Sequence, residues 1–67
     1  MIVSRLSRLL GERRMSLLEL QRRTGVPYSS LHPLYHDRAT RYDGRTLDRL
    51  CRALDCGVAD LLEFVPD

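Results

Sequence analysis

An all-α fold of five short helices is what this 67-residue sequence predicts, on three observations. Leucines recur at three- and four-residue spacing in separate short stretches, the period of helices that each bury one face. Residues that start or stop helices stand between those stretches, at Ser16, Gly25, Asp43 and Gly57. A chain of this length buries one modest core, so residues 1–67 are expected to form one domain.

The first helix is expected over residues 4–14, where Leu6, Leu9 and Leu10 share a side opposite Arg5, Arg8, Glu12 and Arg13. Gly11 weakens its last turn. Ser16-Leu17-Leu18-Glu19 spells a capping box, in which hydroxyl and carboxylate satisfy the free N–H groups at a helix start. That second helix runs to about Thr24, and Gly25 ends it because the chain must turn sharply there without a Cβ clash. A third helix follows Val26-Pro27, with Leu31, Leu34 and Tyr35 on one face and Tyr28, Ser29 and His32 on another. Pro33 lies inside it and has no N–H to give the Ser29 carbonyl, so a late or irregular first turn is predicted, starting at Ser29 or Ser30, with the chain from Pro27 through Tyr28 and as far as Ser29 on extended or 3₁₀-like backbone.

Residues 37–43 show no periodicity and read as a loop. Asp43 caps a fourth helix, whose Leu47, Leu50, Cys51 and Leu54 form a buried stripe, and a short fifth helix spans Val58 to about Leu62. The apolar start Ile2-Val3 and the apolar end Phe64-Val65 match one another and are able to pair as a short antiparallel β-ribbon.

Charge divides unevenly along the chain. Residues 1–45 hold nine Arg against four acids, +5, whereas residues 46–67 hold two Arg against five acids, −3. Such a dipole is oriented by an anionic partner. All eleven basic residues are Arg, a bias that bidentate phosphate contacts and a GC-rich genome both explain. No apolar run approaches the roughly 18 residues of a membrane span, and the first residues lack signal-peptide order, so a cytoplasmic protein is expected. Cys51 and Cys56 fit that compartment as reduced thiols.

Residues 17–36 form the informative unit, a helix, a glycine-centred turn and a helix, with Leu18 and Leu20 read as pointing inward before the turn and Leu31 and Leu34 after it. Together with Thr46-Leu47-Asp48-Arg49-Leu50-Cys51-Arg52-Ala53-Leu54 and Val58-Ala59-Asp60-Leu61-Leu62, this unit resembles the Cro/C1-type helix-turn-helix proteins, or XRE family, of bacteria and phages, over nearly the whole chain. The resemblance implies a lambda-repressor-like five-helix domain that binds double-stranded DNA as a transcriptional regulator. Its third helix, about residues 28–36, would enter the major groove, commonly as a homodimer. Three positions depart from the pattern: Gln21 replaces a small residue, Leu17 replaces a polar one at the start of helix two, and Pro33 sits in the recognition helix.

By that resemblance, Tyr28, Ser29 and His32 are the positions that read base edges, through hydroxyl and imidazole hydrogen bonds and thymine-methyl contact. An ordinary solvated face is the plain alternative, because helix three lacks the Arg, Lys, Asn and Gln that read purines bidentately. Arg38, Arg41 and Arg45 flank the following loop and are candidates for phosphate contact, with Ser16 at the start of helix two. Ile2, Val3, Phe64 and Val65 are the candidate dimer surface.

His32 and His36 stand four apart, but Cys-x4-Cys is not a zinc pairing and Cys51 belongs to a leucine stripe, so no metal or other cofactor is expected. Nucleophile, base and orienting group do not converge, no phosphate-cradling glycine loop is present, and no small-molecule ligand is evident, so the chain does not read as an enzyme. Two functions remain open: a sequence-specific DNA-binding regulator, or a protein-interaction module, antitoxin-like or a phage accessory protein, that keeps the fold with weak base readout.

Overall fold

The computed structural model describes residues 1–67 and runs β1 (Ile2–Ser4), α1 (Leu6–Glu12), α2 (Leu17–Thr24), α3 (Tyr28–Tyr35), α4 (Gly44–Leu54), α5 (Val58–Leu61) and β2 (Leu62–Phe64). The five expected helices are present, and the two ends pair as an antiparallel ribbon with Ile2 opposite Phe64, Val3 opposite Glu63 and Ser4 opposite Leu62.

Every fully buried residue is apolar: nine leucines from α1 to α5 and Val26 of the turn, ten in one cluster. Each buried leucine contributes roughly 1.5–3 kcal/mol by leaving water, which offsets the ordering of so short a chain. Leu6, Leu9 and Leu10 of α1, Leu20 of α2, Leu31 and Leu34 of α3, Leu50 and Leu54 of α4 and Leu61 of α5 meet there.

Four features differ from expectation, each for a local reason. Helix α1 covers residues 6–12 rather than 4–14, because Ser4 is drawn into the ribbon and Arg14 turns left-handed (φ 51°), letting the Met15 N–H reach the Leu10 carbonyl at 2.9 Å. This is a glycine-type helix end made by an arginine. Leu18 does not point inward: it is 51% exposed, while Leu17 packs on the core and Leu20 is fully buried. Positions 17 and 20 share a helical face and 18 and 20 cannot, being about 200° apart. The capping box is half formed, since Ser16 Oγ accepts from the Glu19 N–H at 3.0 Å but the Glu19 carboxylate turns to Arg23 at 2.9 Å. At the C-terminal end, Leu62 belongs to β2 and not to α5.

The expected late start of α3 is also corrected. Pro27 is extended (φ −59°, ψ 145°), but the helix begins at Tyr28 and keeps Pro33 in its interior. The Pro27 carbonyl accepts from both Ser30 (2.9 Å) and Leu31 (3.2 Å), so the first turn carries one tight i→i+3 bond within an otherwise continuous helix. The bonds from Ser30 and Leu31 to Pro27 hold the start at Tyr28, and Leu31 and Leu34 of the same helix are buried in the core.

Candidate nucleic-acid interface

The turn between α2 and α3 is made by Gly25 in the left-handed region (φ 73°), and its N–H closes α2 on the Gln21 carbonyl at 2.8 Å. Thr24 Oγ1 donates to the Leu20 carbonyl at 2.7 Å and accepts from Val26 N–H at 3.2 Å, fixing the exit from α2. Val26 is then buried and acts as the peg about which α3 leaves. With Leu31 and Leu34 committed to the core, the opposite face of α3 is necessarily turned out.

That outward face carries the three expected base-reading residues. Tyr28 is 47% exposed, Ser29 is exposed and His32 is half-buried. Tyr28 and His32 stand one turn apart with ring centroids separated by 5.6 Å, and His36 continues the row at 4.3 Å from His32. Ser29 lies beside this row rather than in it, and the exposed Ser30 follows.

The end of α3 is closed by Asp37, a left-handed residue (φ 56°), with N–H bonds from Asp37 to Leu34 (3.3 Å) and from Arg38 to Pro33 (2.7 Å). This is a Schellman end built on aspartate instead of glycine. The Asp37 carboxylate is occupied too, accepting from the Ser4 N–H at 2.7 Å. Further along the loop, Tyr42 Oη donates to the Ala39 carbonyl at 3.0 Å, and Asp43 caps α4 by accepting from both Thr46 N–H and Thr46 Oγ1 at 3.1 Å. The loop that carries Arg38 and Arg41 is therefore pinned at both ends, with its two carboxylates already engaged.

Arg38, Arg41 and Arg45 are all exposed, and none meets a carboxylate. Elsewhere Arg5, Arg8, Arg23 and Arg52 are paired with Glu63, Glu12, Glu19 and Asp48, Arg13 donates to the Leu54 carbonyl, and Arg14, Arg22 and Arg49 have no carboxylate partner either. Arg38 and Arg41 join Ser30, Pro33, Thr40 and Thr46 around an open groove of about 380 Å³ between the end of α3 and the start of α4. Arg45, on the first turn of α4, lies outside that lining. Ser16 is exposed at the N-terminus of α2 and serves as its cap, which leaves its O–H free to donate.

Sequence reasoning passed over Ser30, Thr40 and Thr46, whose hydroxyls share the groove with the two arginines. Helical periodicity hints at Ser30, which is three before Pro33 on the same side, but nothing local marks the loop residue Thr40. Exposed Leu18 at the start of α2 is a second omission, hidden by the assumption that it faced the core. No group of three or more His, Cys, Asp or Glu side chains is arranged to hold a metal. No helix is long and apolar enough to cross a membrane.

Comparison with known proteins agrees with this geometry. A curated relative, described as an uncharacterized HTH-type transcriptional regulator, YozG of Bacillus subtilis (strain 168), is 33% identical over 66 residues, covering 98% of this chain and 79% of its own length. The family model of the Cro/C1-type HTH DNA-binding domain matches residues 5–67, so that α1 to α5 all fall within it. The chain belongs to the Cro/C1-type helix-turn-helix family, whose members are DNA-binding regulators and not enzymes.

Proposed function

We propose that this protein is a sequence-specific regulator of transcription that places α3 in the major groove of double-stranded DNA, within the cytoplasm. Tyr28, Ser29 and His32 read base edges, and Ser16, Arg38, Arg41 and Arg45 hold the phosphate backbone on either side. The observation that carries this reading is the set of loop arginines without carboxylate partners, held on a pinned loop next to the open polar face of α3. An unpaired guanidinium on a fixed backbone is ready for phosphate and gives up no internal ion pair on binding.

The protein works as a homodimer on a two-fold site. Ile2 and Phe64, paired across the ribbon, are 48% and 66% exposed, and Met1 beside them is 62% exposed. Ile2 and Phe64 share one face of the ribbon and form an apolar surface that a second copy would cover, and two half-sites then add affinity through simultaneous engagement. A Phe64→Arg variant that sediments as a monomer and binds a palindromic site more weakly is the expected result. A wild-type chain that is monomeric both free and on DNA overturns the dimer.

The test of DNA binding is a mobility-shift titration on duplexes at several salt concentrations. Affinity should fall with salt by about 0.9 log unit per log unit of salt for each phosphate neutralised. Arg41→Glu should weaken all duplexes alike and flatten that slope by about one unit, while Tyr28→Ala or Ser29→Ala should change the preferred sequence. Salt-insensitive binding, or equal effects of all three variants on every duplex, would favour a protein-interaction module in its place. The absence of Arg, Lys, Asn and Gln from α3 is the observation behind that second reading.

A further inference from the structure

His32 of α3 and His36, the residue that caps its C-terminal end, stand one helical turn apart. The His36 N–H donates to the His32 carbonyl at 3.1 Å, so a true helical turn separates them, and their ring centroids are 4.3 Å apart with planes tilted by 50°. His36 is exposed and His32 half-buried, and neither imidazole takes part in a side-chain hydrogen bond or ion pair. All four ring nitrogens are therefore uncommitted. We propose that His32 and His36 form a two-imidazole chelating site for a divalent transition-metal ion of the zinc, nickel or copper class.

The chemistry follows from spacing. Side chains at i and i+4 leave one helix face with Cβ atoms roughly 5–6 Å apart, and imidazole is the ligand that suits these ions. Metal–nitrogen bonds of about 2.0–2.1 Å at a tetrahedral centre require two ring nitrogens roughly 3.3 Å apart. The ring centroids are 4.3 Å apart, so rotation about the side-chain torsions is what brings one nitrogen of each ring to that separation. Water completes the coordination, in keeping with the absence of any third ligand nearby.

The thiols do not compete well. Cys51 and Cys56 are half-buried and pack against the core, whereas His36 is exposed. Pro33 adds a reason for the ion to matter. It removes one backbone bond from the middle of α3, and a metal bridging His32 and His36 restrains the turns on its C-terminal side. The ion also occupies a nitrogen of His32 and adds positive charge to the exposed face.

The experiment is a titration of the full chain with Ni²⁺ and, separately, Zn²⁺ near neutral pH without DNA, followed by the imidazole proton resonances and by thermal unfolding. Because no DNA is present, its outcome is independent of the groove-binding reading. The expected result is one equivalent bound, the resonances of both His32 and His36 moving or broadening together, and an unfolding temperature that rises with metal. His32→Ala and His36→Ala should each weaken binding on the order of tenfold or more, because a lone imidazole loses the intramolecular second contact. His36 is exposed and His32 half-buried, so circular dichroism of each variant serves as the control for folding. A Cys51→Ser, Cys56→Ser chain should bind as tightly as wild type. Binding of undiminished affinity in either histidine variant, binding that disappears with the cysteines, or no binding by the wild type up to about millimolar metal overturns the proposal.

Discussion

Replacing Pro33 by alanine should stabilise the protein. Pro33 is the sixth residue of a helix that begins at Tyr28, so it withholds the N–H that the Ser29 carbonyl would accept, and its ring crowds that carbonyl. An interior proline costs about 3 kcal/mol relative to alanine. Two terms oppose the gain. The half-buried ring lines the groove beside Leu34 and Ser30, and losing about two half-buried methylenes costs roughly 0.8 kcal/mol. The unfolded chain, freed of proline, gains conformational entropy worth about 0.4–1 kcal/mol. The balance is a gain of about 1–2 kcal/mol, or about 4–16 °C in melting temperature for a domain of this size. Thermal and urea unfolding followed by far-ultraviolet circular dichroism measures it, with an unchanged m-value as the control that the unfolded state is comparable. Pro33→Gly should recover roughly 1 kcal/mol less than Pro33→Ala, because glycine is the poorer helix former. A Pro33→Ala protein that melts at or below the wild-type temperature would refute the reasoning, and would mean that packing in the groove outweighs the missing backbone bond.

Leu18→Gln should change stability by less than about 0.5 kcal/mol, whereas Leu20→Ala, at a fully buried position, should cost about 2–5 kcal/mol; urea midpoints of the two variants compare them directly. Gly11 is helical with open space where a Cβ would stand, so Gly11→Ala should raise the urea midpoint by the equivalent of about 0.5–1 kcal/mol. Asp37→Ala removes the acceptor for the Ser4 N–H and should cost about 1–3 kcal/mol, while Asp37→Asn, which keeps an acceptor and tolerates the left-handed conformation, should cost less. Burial raises the folded-state titration of Cys56 above that of the unfolded chain, so the folded state holds its proton longer. Stability should therefore fall as pH rises from the ordinary thiol range through the raised value, a trend that Cys56→Ser should flatten.

Periodicity was enough to find all five helices, because each short stretch carries leucines at the spacing of one buried face. Start and stop signals read from single residues succeeded where the residue is committed by its chemistry, as with Gly25 at φ 73° ending α2 and Asp43 capping the start of α4. They failed where an ordinary residue took the glycine role: Arg14 ends α1 and Asp55, two residues before Gly57, ends α4 in the left-handed region, while Asp37 does the same for α3 at a boundary that the loss of periodicity already marked. Which of Leu17 and Leu18 faces inward depends on a rotation of α2 that only its contact with the core decides.

The candidate site divides in the same way. The sequence by itself determined the helix-turn-helix, the outward residues Tyr28, Ser29 and His32, and the arginine-rich loop, because these follow from local spacing and from charge. Only the tertiary structure decided which arginines are spoken for. The pairing of Arg5 with Glu63 joins residues 58 positions apart, and the closure of the terminal ribbon brings them together. It also decided that Asp37 is engaged with Ser4, and that Ser30, Thr40 and Thr46 share a groove with Arg38 and Arg41. Helix start and face are one-dimensional properties governed by neighbours within a turn, whereas the partner of a long, flexible side chain is set by where the core places distant segments.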